Sequence, residues 1–193
     1  MLSLLGLTAE VMSVDLKLGD HNGREPRGHD RYPVIDDNGV IVADANAILI
    51  YLAANYGEGQ WLPTDHQVLA GVLCWLSLTV SDDCFASGID GRSLELDTAF
   101  EAEGLIIKTL CLLKEMDLEL AESTFLVGAH PTIADVSAYA YLAHLPKQHV
   151  GISNYANVCR WRQSFESLPH FLSIKDHKKN NGKVHDWGLE ALP

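Results

Sequence analysis

The sequence predicts two pieces of different class, a short α/β segment at the N-terminus and an all-helical bundle after it. Three observations carry this reading. Residues 31–48, RYPVIDDNGVIVADANAI, read as a strand, a tight turn, a second strand and the start of a helix. Residues 57–65, GEGQWLPTD, interrupt the apolar pattern with glycine and proline, as a linker does. From residue 66 onward the apolar residues recur at helical spacing. The expected boundaries are 1–57 for the α/β segment, 65–175 for the helical domain and 176–193 for a C-terminal tail.

The elements follow in order. MLSLLG, residues 1–6, looks like the last turns of a helix stopped by Gly6 in the left-handed conformation. VMSVDL, residues 11–16, is a short strand candidate, and residues 17–31, with three glycines and Pro26, are a loop. Pro33 opens the next strand, a position where proline is tolerated. Asn38-Gly39 between Val34-Ile35 and Val40-Ile41-Val42 is a hairpin signal, because a two-residue turn needs positive φ. Asp44 stands where a helix N-cap belongs, and the helix it opens runs to about Tyr56, ending at Gly57.

Four helices are expected in the second piece. The first covers about 66–86, after an N-cap at Thr64 or Asp65, and is apolar on most sides, as a buried helix is. The second covers about 94–121, the third runs from Thr132 to about Leu145, and the fourth covers about 154–167 with Tyr155, Val158, Trp161 and Phe165 on one stripe. Thr132 and Asp135 form a capping box at the start of the third, each side chain satisfying the other's backbone donor. A carboxylate on so apolar a helix invites a catalytic reading, but its spacing is that of a structural cap.

Composition bounds the function. The chain has 193 residues, 47% hydrophobic and 21% charged, with a net charge of −12, values that suit an ordinary globular protein and argue against a nucleic-acid partner, which needs a basic patch. The one cationic cluster, Lys175, Lys178, Lys179 and Lys183, lies in a polar stretch that reads as a solvated tail. Cys74, Cys84, Cys111 and Cys159 form no metal-ligand pattern and read as small buried hydrophobes in a reducing compartment. No metal site is expected. No leader or apolar run of membrane-spanning length is visible, so no membrane partner is expected and the cytoplasm is the default.

Together, YPVIDDNGVIVADANAILIYLAANYG, WLPTD, FLVGAHPTIADVSAYAYLAHLP and NYANVCRWRQSFESLPHF resemble the cytosolic glutathione transferase family, in particular its bacterial members. The likeness covers most of residues 1–172. It implies a thioredoxin-like N-terminal domain, here incomplete, joined to an all-helical C-terminal domain. It also implies a homodimer, glutathione as the bound substrate and a small apolar electrophile as the second one. Carried over by position, Tyr32 would pair its backbone with the cysteinyl part of glutathione and Pro33 would be the family's cis-proline. Asp44 would take the γ-glutamyl ammonium. Ala45 stands where the family has serine, so only its N–H would meet the carboxylate. The resemblance also implies a strand and most of a helix, on the order of 20 residues by typical element lengths, ahead of LSLLGL. That segment normally carries the catalytic serine, cysteine or tyrosine, so the chain reads as N-terminally truncated and no catalytic residue is assigned. Conjugation by these 193 residues would need a substitute thiol activator. Ser77, Ser81 and Cys84 are the candidates, and Ser3, inside the remnant helix, is not the equivalent. The alternative is a non-catalytic binding or protein-interaction module of the same fold.

Overall fold

The structure is a computed structural model and describes residues 1–10, 33–79, 99–144 and 151–173. The described residues fall into two units, one made of Met1–Glu58 with the residues from Leu168 on, the other of Gly59–Ser167. The expected strand at 11–16 and the loop at 17–31 lie outside the described residues, as does Tyr32.

In the first unit the opening residues make a single 3-10 turn, Ser3–Leu5, in place of the longer helix end expected, and Gly6 closes it at φ 67°. Strands β1 (Val34–Asp37) and β2 (Val40–Ala43) pair antiparallel, with Val34 opposite Ala43 and Asp37 opposite Val40. The register leaves Asn38 and Gly39 as the two turn residues, at φ 52° and 91°. Positive φ at both positions gives the turn the same twist as the strands. Gly39 N–H donates to Asp36 Oδ1 at 2.7 Å, which holds the corner. Helix α1 (Ala45–Tyr56) follows directly and buries Ile48, Leu52 and Ala53. Its closing glycine has an ordinary φ of −89°. A Cβ on Gly57 would stand 2.5 Å from Ala53 O, so close approach to the last turn explains the residue.

In the second unit α2 (His66–Thr79), α3 (Ala99–Glu122), α4 (Ile133–His144) and α5 (Ala156–Glu166) make two packed pairs, α2 with α4 and α3 with α5. Asp65 caps α2, its Oδ1 accepting the Gln67 and Val68 amides at 3.0 Å each. The core is Val72 and Leu76 from α2, Leu113, Met116 and Leu120 from α3, Ile133 and Ala138 from α4, and Val158, Trp161 and Phe165 from α5. The last three sit three and four residues apart, which puts them on one helix face. Helices α3 and α5 also cap one another. Asp117 Oδ1 accepts the Asn157 and Val158 amides at 2.9 and 3.1 Å, and Arg160 donates to the carbonyls of Leu120 and Ser123 at the end of α3.

Two expectations are corrected. Helix α2 is not buried on most sides: Leu73 and Leu78 are 43% and 45% exposed. A helix in a two-helix contact hides one face, and apolar composition on the other does not bury it. The cysteines are not buried either. Cys74 and Cys111 are exposed, Cys159 is half-buried, and all three are free thiols. Cys74 and Cys111 occupy the outward positions of helices whose inward positions go to Leu, Val and Met, and Cys159 Sγ lies 3.4 Å from the Ile152 carbonyl beside α5. Cys84 lies outside the described residues.

Candidate functional site

Of the site residues expected in the first unit, Pro33, Asp44 and Ala45 meet where the hairpin runs into α1. Pro33, exposed, precedes β1, and its carbonyl accepts the Asp44 N–H at 3.1 Å. That bond closes the open end of the hairpin and brings Pro33 and Asp44 together although they are far apart in sequence. Asp44 is the N-cap of α1: its Oδ1 accepts the amides of Asn46 and Ala47 at 2.9 and 3.0 Å. Its carbonyl takes the Ile48 amide at 2.9 Å. Asp44 does this from φ 83°, ψ 133°, a region that residues with side chains rarely adopt. Ala45 is the first helical residue, and its N–H precedes the amides bound by the Asp44 cap. The junction therefore offers a carboxylate, one helix amide and the positive end of a 12-residue helix.

The hairpin corner is tied to the far part of α1 as well. Tyr51 OH donates to Asp37 Oδ2 at 2.8 Å, Tyr56 OH donates to the same oxygen, and Asn38 Nδ2 donates to Asp37 Oδ1 at 3.0 Å. The phenols of Tyr56 and Tyr51 hold the Asp37 carboxyl below its ordinary range, and Asp37 raises both tyrosines. Sequence reasoning missed this cluster. Its only signal was an acid at a hairpin corner and two tyrosines in the helix that follows, which does not fix a contact before the fold is known.

In the second unit Asp135 is the centre of a buried network. Its Oδ1 accepts Leu126 N–H at 3.0 Å and Trp161 Nε1–H at 2.8 Å, and its Oδ2 accepts Thr132 N–H at 2.8 Å and Thr132 Oγ1–H at 3.2 Å. Thr132 Oγ1 in turn accepts the Ala134 amide at 3.3 Å, and the Ile133 amide goes to the Trp61 carbonyl at 3.0 Å. Burial pushes the Asp135 carboxyl up, and the four donors pull it down less strongly. Every acceptor position of this carboxylate is used within the protein, so it is a fold element with no capacity left for a substrate.

Of the candidate thiol activators, Ser77 is exposed and donates its hydroxyl to Leu73 O at 2.9 Å, one turn back along α2. Ser81 and Cys84 lie outside the described residues. Among the described residues no group of three or more His, Cys, Asp or Glu side chains is placed to hold a metal ion.

Comparison with known proteins points one way. Residues 106–169 match the family model described as the C-terminal domain of glutathione S-transferase. The chain is 26% identical over 148 residues to glutathione S-transferase theta-1 of Bos taurus, covering 70% of this chain and 62% of that protein. It is 29% identical over 166 residues to glutathione S-transferase T3 of Arabidopsis thaliana, covering 76% of this chain and 28% of that one. The chain thus spans less than two thirds of the length of these curated relatives. The crystal structure of a glutathione S-transferase from Pseudomonas fluorescens superposes with a TM-score of 0.71 at 27% identity over 89% of each chain. An unclassified Bombyx mori glutathione S-transferase gives 0.69 at 24% identity over 87% of this chain and 80% of that one, a likeness of fold alone. These bear out the expected fold class, a thioredoxin-like segment followed by an all-helical glutathione-transferase domain.

Proposed function

We propose that this glutathione S-transferase-like chain binds glutathione at the hairpin–helix junction and serves its conjugation to a small apolar electrophile. The observation that carries the reading is the Asp44 N-cap. Only Oδ1 of its carboxylate is used by the Asn46 and Ala47 amides, and the residue is half-buried, so the group keeps a side for the γ-glutamyl ammonium. The Ala45 N–H and the helix end attract the neighbouring carboxylate. The backbone of Tyr32, beside Pro33, is assigned to the cysteinyl part. The Asp44 carboxylate and, beside it, the positive helix end with the Ala45 N–H then match the zwitterionic γ-glutamyl group.

The chemical step asks for a thiolate. A free thiol is mostly protonated at neutral pH, and a hydroxyl donor near a helix N-terminus lowers its pKa. Ser77 spends its hydroxyl on its own helix, so it is not that donor. A second reading, a glutathione-binding or interaction module without catalysis, draws on the same fact and on the hydroxyl missing at Ala45. We place the protein in the cytoplasm as a homodimer. Three free thiols suit a reducing compartment, and among the described residues no helix is long and apolar enough to cross a membrane.

Calorimetric titration of the chain with reduced glutathione tests the binding step, and loss of free thiol in the presence of a small organic halide tests the transfer. Binding that is lost in Asp44→Ala with turnover supports the transferase reading. Binding without turnover supports the module. No heat at millimolar glutathione refutes the transferase reading for this chain and leaves the protein-interaction module.

A further inference from the structure

Two arms meet at Asp44. One is the β1–β2 hairpin, which carries Pro33 at its open end, and the other is α1. The angle between them is set at Asp44 itself, where the backbone holds φ 83°, ψ 133°. A residue with a side chain stays in such a conformation only where its surroundings over-determine it. The near restraints are the Pro33 carbonyl on its N–H and the helix amides on its carboxylate. The far restraint is the Asp37 carboxylate, which takes the phenols of Tyr51 and Tyr56 and so ties the tip of the hairpin to the later turns of α1. Hairpin, hinge and helix thereby form a closed triangle.

We propose that the Asp37–Tyr51–Tyr56 clamp is a positioning device for glutathione, holding the hairpin at the angle to α1 that keeps Asp44 in its strained conformation with its carboxylate at the γ-glutamyl position. The inference rests on the glutathione reading above. With the clamp open, Asp44 relaxes toward negative φ, the Pro33 carbonyl loses its donor, and the ligand carboxylate and ammonium no longer meet their partners together. Two phenols on one carboxylate make charge-assisted hydrogen bonds, stronger than neutral ones. The groups facing Asp37 are Tyr51 and Tyr56 from α1 and Asn38 from the hairpin turn. Asp36 is engaged with the Gly39 amide. Because the phenols hold the Asp37 carboxyl low, the clamp is charged and closed across the neutral range.

The test compares the full chain with Asp37→Ala, Asp37→Asn and Tyr51→Phe/Tyr56→Phe. Reduced glutathione is titrated calorimetrically at neutral pH, at a temperature where each variant is folded. Asp37→Ala and the double tyrosine variant weaken binding by about tenfold, the effect of losing one hydrogen bond to a charged group. Asp37→Asn, which keeps an acceptor, recovers most of the affinity. Tyrosine absorbance then reports whether the clamp is broken, since Asp37 is the main cause that raises the two phenols and in Asp37→Ala they titrate at lower pH than in the wild-type chain. Phenols so released with glutathione affinity unchanged overturn the proposal. A wild-type chain that binds no glutathione refutes the preceding reading and not the clamp, which is then judged by amide hydrogen exchange. Faster exchange at Asn46 and Ala47 in Asp37→Ala upholds the hold on Asp44. Unchanged exchange there overturns it.

Discussion

Removing the Asp135 carboxylate is the sharpest perturbation of the fold. Asp135→Ala leaves the N–H groups of Leu126, Thr132 and Trp161 without their acceptor inside the core. Each orphaned buried donor costs about 1–3 kcal/mol, so the gross loss is about 3–9 kcal/mol. Against this stands the relief of no longer burying a carboxylate, a cost partly offset already by the α4 N-terminus. A net loss of about 4 kcal/mol is expected, within the range seen for breaking buried polar networks. Asp135→Asn keeps a carbonyl for two of the donors and turns an NH₂ group toward the rest, so its loss falls between zero and that of alanine. Urea unfolding followed by tryptophan fluorescence measures both, with a shift in midpoint at constant slope. The pH dependence adds a signed check. Burial raises the Asp135 carboxyl above its ordinary value of 3.8, so its contribution is fully present below that value and declines as pH rises through the folded-state value. The advantage of wild type over Asp135→Asn therefore narrows from acid toward neutral pH. A loss below about 1 kcal/mol for Asp135→Ala, the scale of an exposed cap, would refute the reasoning.

Other outcomes follow from the same geometry. Ala45→Ser restores a hydroxyl beside the first helix amide and tightens glutathione binding by about tenfold, read by calorimetry. Asp117→Ala removes the acceptor for the Asn157 and Val158 amides and costs about 1–2 kcal/mol in urea unfolding, the value of a helix cap supplied here from another helix. Cys74 and Cys111 react with a maleimide in the folded chain faster than Cys159, as mass spectrometry of labelled peptides resolves; protection of the first two would mean that their faces are covered in solution. The phenols of Tyr56 and Tyr51 hold Asp37 below 3.8, so its stabilisation is present above that pH and lost as pH falls through the lower folded-state value; Asp37→Asn removes that part of the acid unfolding curve.

The helical unit was readable because each of its elements announces itself locally. Asp65 before an apolar run, Thr132 three residues before Asp135, and Val158, Trp161 and Phe165 at helical spacing each need only a few neighbouring residues to be recognised. The hairpin was readable for the same reason, since Asn38-Gly39 permits little else between two apolar strands. Contacts between distant segments were not. Nothing near Asp117 says that its carboxylate caps α5, and nothing in α2 says that Leu73 and Leu78 face outward while Val72 and Leu76 face inward, because every one of these positions is apolar. The cysteines misled for that reason: their neighbours in sequence are apolar, but their neighbours in space are not fixed by sequence spacing alone. The Asp44 site was half readable. Its cap was visible in the pattern, whereas the positive φ is a product of the hairpin closing on α1.

Asp44 and Asp135 are the same device in different surroundings, and the difference decides what each can do. Both are aspartates at a helix start that accept backbone amides. Asp135 sits at 0% exposure with four donors divided between its two oxygens, including an indole from another helix. A carboxylate so placed is stable only because it is saturated, and any ligand would first have to displace a bond within the core. Asp44 gives one oxygen to two amides and remains half-buried at the end of a hairpin. Water can complete its other oxygen in the free protein, and a ligand ammonium can replace that water at little cost. The strained backbone at Asp44 fits this division. Strain at a saturated core cap would only weaken the fold, while strain at a half-used cap, on the glutathione reading proposed above, would aim its carboxylate toward a ligand that arrives from solution. A glycine at position 44 would accept φ 83° without strain and stabilise the junction, yet it would have nothing to offer an ammonium, so stability and binding are expected to move in opposite directions there.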